Sequence, residues 1–151
     1  IAYDPYIKAN SIKEQEISMV SLNSLITRSD YITVHTPLSS STKGLISAQE
    51  IGLMKKGVFL INCARAGIIE EGALLAGLDQ GIIAGAALDV YTKEPPIGFQ
   101  IVKHSRVVST PHIGASSVEA EFNVATTIAD YIGRFLTIGE VTAAVNEVIT
   151  K

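Results

Sequence analysis

The side chains in this sequence that could do chemistry sit directly after short apolar runs. Asp4 follows Ile1-Ala2-Tyr3, and His35-Thr36-Pro37 follows Tyr31-Ile32-Thr33-Val34. Cys63-Ala64-Arg65 follows Val58-Phe59-Leu60-Ile61-Asn62. Asp89 closes a Gly- and Ala-rich run, and Pro111-His112-Ile113-Gly114-Ala115 comes just after Arg106-Val107-Val108-Ser109. A guanidinium stays charged at any working pH and its planar fork matches a carboxylate, so Arg65 suits an anionic substrate. Imidazole titrates near neutrality, which suits histidine to proton transfer. Cys63 has the type of a nucleophile, but nothing around it calls for one, and it reads as a buried small hydrophobe. His35, His104 and His112 have no metal-ligand spacing, so no metal site is expected. His104, between Lys103 and Ser105, reads as a packed loop histidine.

The elements that must position these groups alternate along the chain. Apolar, β-rich runs predict strands over 31–35, 58–62, 84–90 and 106–109, each apolar on both faces, as strands covered by helices on each side should be. Between them a short helix is predicted over 22–28. Ser47-Ala48-Gln49-Glu50 has the form of a capping box. A helix over 70–80 ends at Gly81. Ser116 or Ser117 can cap the longest helix, which runs to about residue 136. Its Val124, Ile128, Ile132 and Phe135 recur at helical spacing on one face. Strand–helix alternation with short loops predicts a mostly parallel sheet with helices on both faces. Ligands in such sheets bind beyond the carboxyl ends of the strands, so the residues above are expected to face one crevice.

Composition narrows the function classes. The chain has 151 residues, 47% of them hydrophobic, enough for one buried core. Twelve basic residues stand against fifteen acidic ones, a net charge of -3, scattered without a basic block, so no nucleic-acid partner is expected. No apolar run approaches the roughly 20 residues of a membrane span, and no signal-peptide pattern is present. A single cysteine excludes an internal disulfide framework and fits a reducing cytoplasm, the expected location. The chain opens on Ile1 in what reads as the end of a strand, so a truncated chain is expected.

Three ordered blocks carry a resemblance. Asn62-Cys63-Ala64-Arg65-Ala66-Gly67, then Ala87-Leu88-Asp89-Val90-Tyr91 with Glu94-Pro95-Pro96, then Thr110-Pro111-His112-Ile113-Gly114-Ala115 resemble the signatures of the D-isomer-specific 2-hydroxyacid dehydrogenases. The resemblance runs from Ile1 to Ala144-Val145-Asn146. It implies an α/β fold with a doubly wound parallel sheet of Rossmann type, NAD as cofactor and a small 2-hydroxy acid as substrate. It implies that Arg65 grips the substrate carboxylate. His112 is then the acid/base, with Glu94 bonded to its other ring nitrogen, fixing the tautomer and stabilising the imidazolium that forms. These two lie 18 residues apart, so only the fold can bring them together. Asp4 is implied to accept hydrogen bonds from the adenosine ribose and to disfavour a 2′-phosphate, although Asp-Pro after a strand is also a common turn. His35, Thr36 and Pro37 are implied to wall the cofactor crevice, and Asp89 to contact the nicotinamide end. Cys63, Ala64, Gly114 and Ala115 are implied to line the nicotinamide site, and Arg65 and His112 to contact the cofactor besides their catalytic roles. Gly85, Ala86 and Ala87 would permit close approach of a cofactor or tight helix packing.

The sequence also departs from that pattern. No strand–glycine loop–helix unit of Gly-x-Gly-x-x-Gly type precedes Asp4, so the first β-α unit is expected to be missing. Ala66 stands where many relatives have glycine. Residues 1–141 are expected to form a partial NAD-binding domain with a C-terminal helix, and 142–151 a tail returning toward a substrate domain. Asn62-Cys63-Ala64-Arg65 with His112-Ile113-Gly114-Ala115-Ser116-Ser117 resembles the phosphoglycerate-oxidising members that feed serine biosynthesis. Glyoxylate or hydroxypyruvate reductases and D-lactate-type enzymes are the alternatives within the family. An NAD-sensing transcriptional corepressor or an inactive fragment are those outside it. An unpaired strand edge predicts either order only within a longer polypeptide or contact with another chain, and a homo-oligomer, dimer or tetramer, is expected.

Overall fold

The structure is a computed structural model that describes residues 1–7 and 17–145. It divides into two units, Ile1–His112 and Ile113–Lys151. In the first unit β1 (Tyr31–Val34), β2 (Val58–Asn62), β3 (Ile83–Leu88) and β4 (Val107–Ser109) form one sheet in that order, every pair parallel. The helices are α1 (Leu22–Arg28), α2 (Ala48–Leu53), α3 (Glu71–Asp79) and α4 (Gln100–Lys103). Helices α2, α3 and α4 are the crossovers that parallel pairing requires. Ala2 adds an isolated parallel bridge to Met19, with Ala2 N–H on Ser18 O at 2.9 Å and Val20 N–H on Ala2 O at 2.8 Å.

Alternation along the strands explains the core. Ile32 and Val34, Val58 and Leu60, and Ala86 and Leu88 point inward, and a register shift that pairs Val58 with Ile83 but Phe59 with Gly85 turns Ile83 to the same side, where they meet Ile26, Ile51, Leu74, Leu78 and Ile101 of the helices. Helix α2 packs against α1 and α3, and α3 packs on β3. A Cβ on Gly77 of α3 would lie 2.8 Å from Ile83 and 2.9 Å from Ile51, so the close seating of α3 needs glycine there.

The opposite face of the strands departs from the expectation of apolar cover on both sides. Tyr31, Phe59 and Val108 are exposed on it, with the Tyr31 and Phe59 rings stacked at a 5.2 Å centroid distance. Gly85 also has a role other than those foreseen. A Cβ there would lie 3.1 Å from both the Phe59 ring and the Arg106 carbonyl, so its smallness admits Phe59 over the sheet. Helix α4 was not anticipated; its four residues are too few for a periodic signal.

The capping box at Ser47 forms. Ser47 Oγ accepts from Gln49 N–H at 3.2 Å, and Glu50 accepts from the Ser47 hydroxyl and, at 3.0 Å, from its N–H. The Ser47 hydroxyl, chiefly, holds the Glu50 carboxyl below the ordinary glutamate range. The stability this adds is present above the unfolded-state value and is lost as pH falls through the lower folded value. Replacing Ser47 by alanine is expected to destabilise the folded protein by about 1 kcal/mol. Urea unfolding of the full-length protein with an unchanged midpoint would refute the cap.

The second unit holds α5 (Val118–Ile138). Ser117 caps it by accepting Ala120 N–H at 3.1 Å, and Gly139, at φ 69°, ends it. Val124, Ile128, Ile132 and Phe135 form an exposed apolar stripe along it. The expected tail is described only as far as Val145, and Asn146 lies outside the described residues.

Candidate active site

Register decides which residues share an edge. Val34 pairs with Asn62, Asn62 with Leu88, and Leu88 with Ser109, a single row across the carboxyl ends of the four strands. The residue after each member of that row is His35, Cys63, Asp89 and Thr110. The parallel sheet therefore delivers four consecutive chain turns to one edge, and Arg65 and His112 follow within two residues of Cys63 and Thr110.

After β1, His35 Nε2 lies 2.9 Å from the Thr33 hydroxyl. The Thr36 hydroxyl is buried with no hydrogen-bond partner among the described residues. His35, Thr36, Pro37, Ala64 and Arg65 line a cleft of about 360 Å³. His35 and Thr36 also border a larger, mostly apolar hollow of about 410 Å³ whose rim includes Asp4. Asp4 accepts Tyr6 N–H at 2.8 Å, so it does make the turn that Asp-Pro favours.

After β2, Arg65 is exposed, and its Nη1 donates to the Ala64 carbonyl at 2.7 Å. Cys63 corrects the expectation of burial: it is exposed, because the chain leaves the sheet after Asn62 and turns outward. After β3, Asp89 is buried; its N–H donates to Asn62 O at 3.0 Å and its carboxylate accepts from the Thr110 hydroxyl.

The ends of β3 and β4 bring Glu94 and His112 together. His112 Nδ1 lies 2.8 Å from Glu94 Oε2 and 3.0 Å from Oε1. The buried Tyr91 serves both arms of this contact. Its hydroxyl reaches Leu88 O at 2.9 Å and Thr110 O at 3.0 Å, while its N–H donates to Glu94 Oε1 at 3.2 Å. The His112 bond, and after it the Tyr91 N–H, hold the Glu94 carboxyl below the ordinary glutamate range. His112 itself has a φ of 58°, a left-handed conformation that a non-glycine residue seldom takes and that recurs at functional sites. His104 is elsewhere engaged: Nε2 is 3.4 Å from Asp79, and Nδ1 accepts Arg106 N–H at 3.1 Å.

Gly114 and Ala115 belong to the second unit, in a turn just after its first residue, Ile113, where Ser116 N–H bonds Ile113 O at 3.0 Å. Sequence reasoning gave no role to Tyr91, Thr110 or Asn62. Asn62 was detectable: in the alternation Val58-Leu60-Asn62 it is a polar residue at an inward position, which demands hydrogen-bond partners.

Residues 1–114 match the family model for the D-isomer specific 2-hydroxyacid dehydrogenase, NAD binding domain. The D-3-phosphoglycerate dehydrogenase of Bacillus subtilis (strain 168) is 44% identical over 144 residues, covering 95% of this chain and 27% of its own length. That of Homo sapiens is 47% identical over 121 residues, covering 80% of this chain and 23% of its own length. The chain thus spans 27% and 23% of those two relatives. Among solved structures, a D-lactate dehydrogenase from Treponema pallidum superposes with a TM-score of 0.83 at 35% identity, covering 97% of this chain and 47% of that one. A D-2-hydroxyisocaproate dehydrogenase gives a TM-score of 0.84 at 29% identity, covering 93% of this chain and 46% of that one.

Proposed function

We propose, from the premise that the chain belongs to the D-isomer specific 2-hydroxyacid dehydrogenases through their NAD binding domain, that it serves the NAD-dependent oxidation of a D-2-hydroxy acid. The substrate proposed is 3-phospho-D-glycerate, giving 3-phosphohydroxypyruvate. The observation that carries the reading is the contact of His112 Nδ1 with the Glu94 carboxylate, where His112 lies three residues beyond Ser109 of the strand-end row, as Arg65 lies three beyond Asn62. The names of the curated relatives support the choice of substrate.

The residues present fit the dinucleotide. The Thr36 hydroxyl, without a partner among the described residues, offers a hydrogen bond at the cleft wall, and Asp4 offers a carboxylate at the rim of the adjoining hollow. His35, Pro37, Cys63, Ala64, Arg65, Asp89 and His112 are the further residues proposed to contact it. Bound NAD supplies the acceptor for the hydrogen leaving C2 of the substrate. Arg65 presents two parallel N–H donors to the substrate carboxylate and fixes its orientation. His112 takes the proton of the 2-hydroxyl at Nε2, because Nδ1 faces Glu94. Glu94 holds the ring with Nε2 unprotonated before the reaction and balances the positive ring after it. We place the protein in the cytoplasm as a homo-oligomer.

NADH formation by the full-length protein, measured with 3-phospho-D-glycerate, D-glycerate and D-lactate, tests this. The expected result is a kcat/KM for the phosphorylated acid at least about tenfold above the other two, a difference of ~1.4 kcal/mol. A preference for D-lactate would replace the substrate, and no NADH from any of the three would remove the function.

A further inference from the structure

The end of β2 holds a polar residue that neither the catalytic pair nor the clamp has yet used. Asn62 is 3% exposed. It sits between Val34 and Leu88 in the strand-end row, with its side chain facing inward like those of Val58 and Leu60. An amide buried there is costly unless both of its ends are bonded.

Both ends are bonded, and to the same short loop. Oδ1 accepts Ala64 N–H at 3.1 Å, and Nδ2 donates to the Arg65 carbonyl at 3.0 Å. The main-chain oxygen of Asn62 accepts Asp89 N–H at 3.0 Å. One residue therefore ties the turn carrying Arg65 to the strand, and ties that strand end to the next. The Arg65 guanidinium bonds the Ala64 carbonyl at 2.7 Å, so its head is referenced to the loop that Asn62 holds. A shift of the Ala64–Arg65 backbone moves the guanidinium with it.

We propose that Asn62 is a positioning residue for the substrate clamp, using both ends of its buried amide to aim Arg65. This rests on the reading of Arg65 as the carboxylate clamp. A misplacement of about 1 Å in such a group can cost on the order of a hundredfold in rate, so a buried tether with two bonds is a physical requirement of the clamp and not an ornament of the turn.

Asn62→Asp in the full-length protein tests it. The two side chains have the same shape. An ionised carboxylate keeps the acceptor for Ala64 N–H but faces the Arg65 carbonyl with an oxygen and no proton. The protonated carboxyl restores a donor. Around it, burial and the carboxylates of Asp89 and Glu71 favour the neutral form, while Arg65 opposes it. Above neutrality the KM for 3-phospho-D-glycerate is expected to rise about tenfold over wild type. As pH falls and the new carboxyl protonates, the ratio of the two KM values, taken at each pH, is expected to return toward one. A purely structural role would lower stability without that recovery. Asn62→Ser carries no titrating group and keeps one of the two bonds at most, so it should raise KM equally at every pH. Arg65→Lys is measured beside them. A KM ratio for Asn62→Asp that does not vary with pH, while Arg65→Lys raises KM, overturns the positioning role and leaves the clamp standing. A wild-type KM for Asn62→Ser overturns it equally. An unchanged KM in Arg65→Lys overturns the clamp, and the positioning role with it.

Discussion

Replacing His112 by asparagine in the full-length protein is expected to lower kcat by roughly 10²- to 10⁴-fold, the usual share of acid–base catalysis. Asparagine keeps a polar group near Glu94 and tolerates the left-handed backbone that His112 adopts at φ 58°. What it lacks is a basic nitrogen for the substrate hydroxyl. The substrate KM should change much less than kcat, since the carboxylate clamp lies on another loop. The pH dependence has a sign fixed by Glu94. Its carboxyl lies below the ordinary range because His112, first, and the Tyr91 N–H, second, favour the charged form. The pair is therefore intact above the ordinary glutamate value and dissolves as pH falls through the lower folded value. Both side chains are well exposed, at 45% for His112 and 39% for Glu94, so solvent screens the pair and it adds little to stability. Its value lies in orienting the ring. Steady-state rates decide the matter: a wild-type kcat for the asparagine variant removes His112 from the chemistry.

Much of this arrangement was legible in the sequence, and what was not has physical causes. β-branched and aromatic residues marked β1 and β2 to within one residue, and Ser47 and Glu50 announced their capping box. Parallel strands need only alternate with helices for their carboxyl ends to align, so the clustering of His35, Arg65, Asp89 and His112 at one edge followed from order alone. Contacts between strand ends were a different matter. Glu94 and His112 are 18 residues apart, and only the pairing of Leu88 with Ser109 and the Tyr91 hydroxyl across that pair bring them to 2.8 Å. The resemblance supplied that pair; spacing could not. Cys63 was misjudged because burial was inferred from residue type, whereas its position just past a strand end turns it outward. Gly85 was read as room for a cofactor or for tight helix packing, and the aromatic ring filling that room came from Phe59, 26 positions away in sequence. Small size in a strand says that something approaches closely, not what it is.

Arg65→Lys is expected to raise the KM for the 2-hydroxy acid about 10- to 100-fold while the Kd for NAD changes little. Lysine keeps the positive charge, so a site that needed charge alone would barely notice. The guanidinium offers more than charge: two parallel N–H donors in a rigid plane, and a further edge for a second partner. In this structure Nη1 is already committed to the Ala64 carbonyl at 2.7 Å, which fixes the plane before substrate arrives. An ammonium on a flexible stem has three donors but no plane. It would have to choose between that carbonyl and the carboxylate, or satisfy each with poor geometry. Losing a charge-assisted hydrogen bond costs about 1.5–3 kcal/mol, which corresponds to the KM range stated. The proposed cofactor contacts reach well beyond this loop, to Asp4 and Thr36 along the crevice, and this is why the Kd for NAD should hold. Substrate KM and NAD affinity measured on the same preparation separate the two effects. A normal KM refutes the clamp. Equal losses in both would show that the substitution disturbs the loop as a whole instead of the grip on the carboxylate.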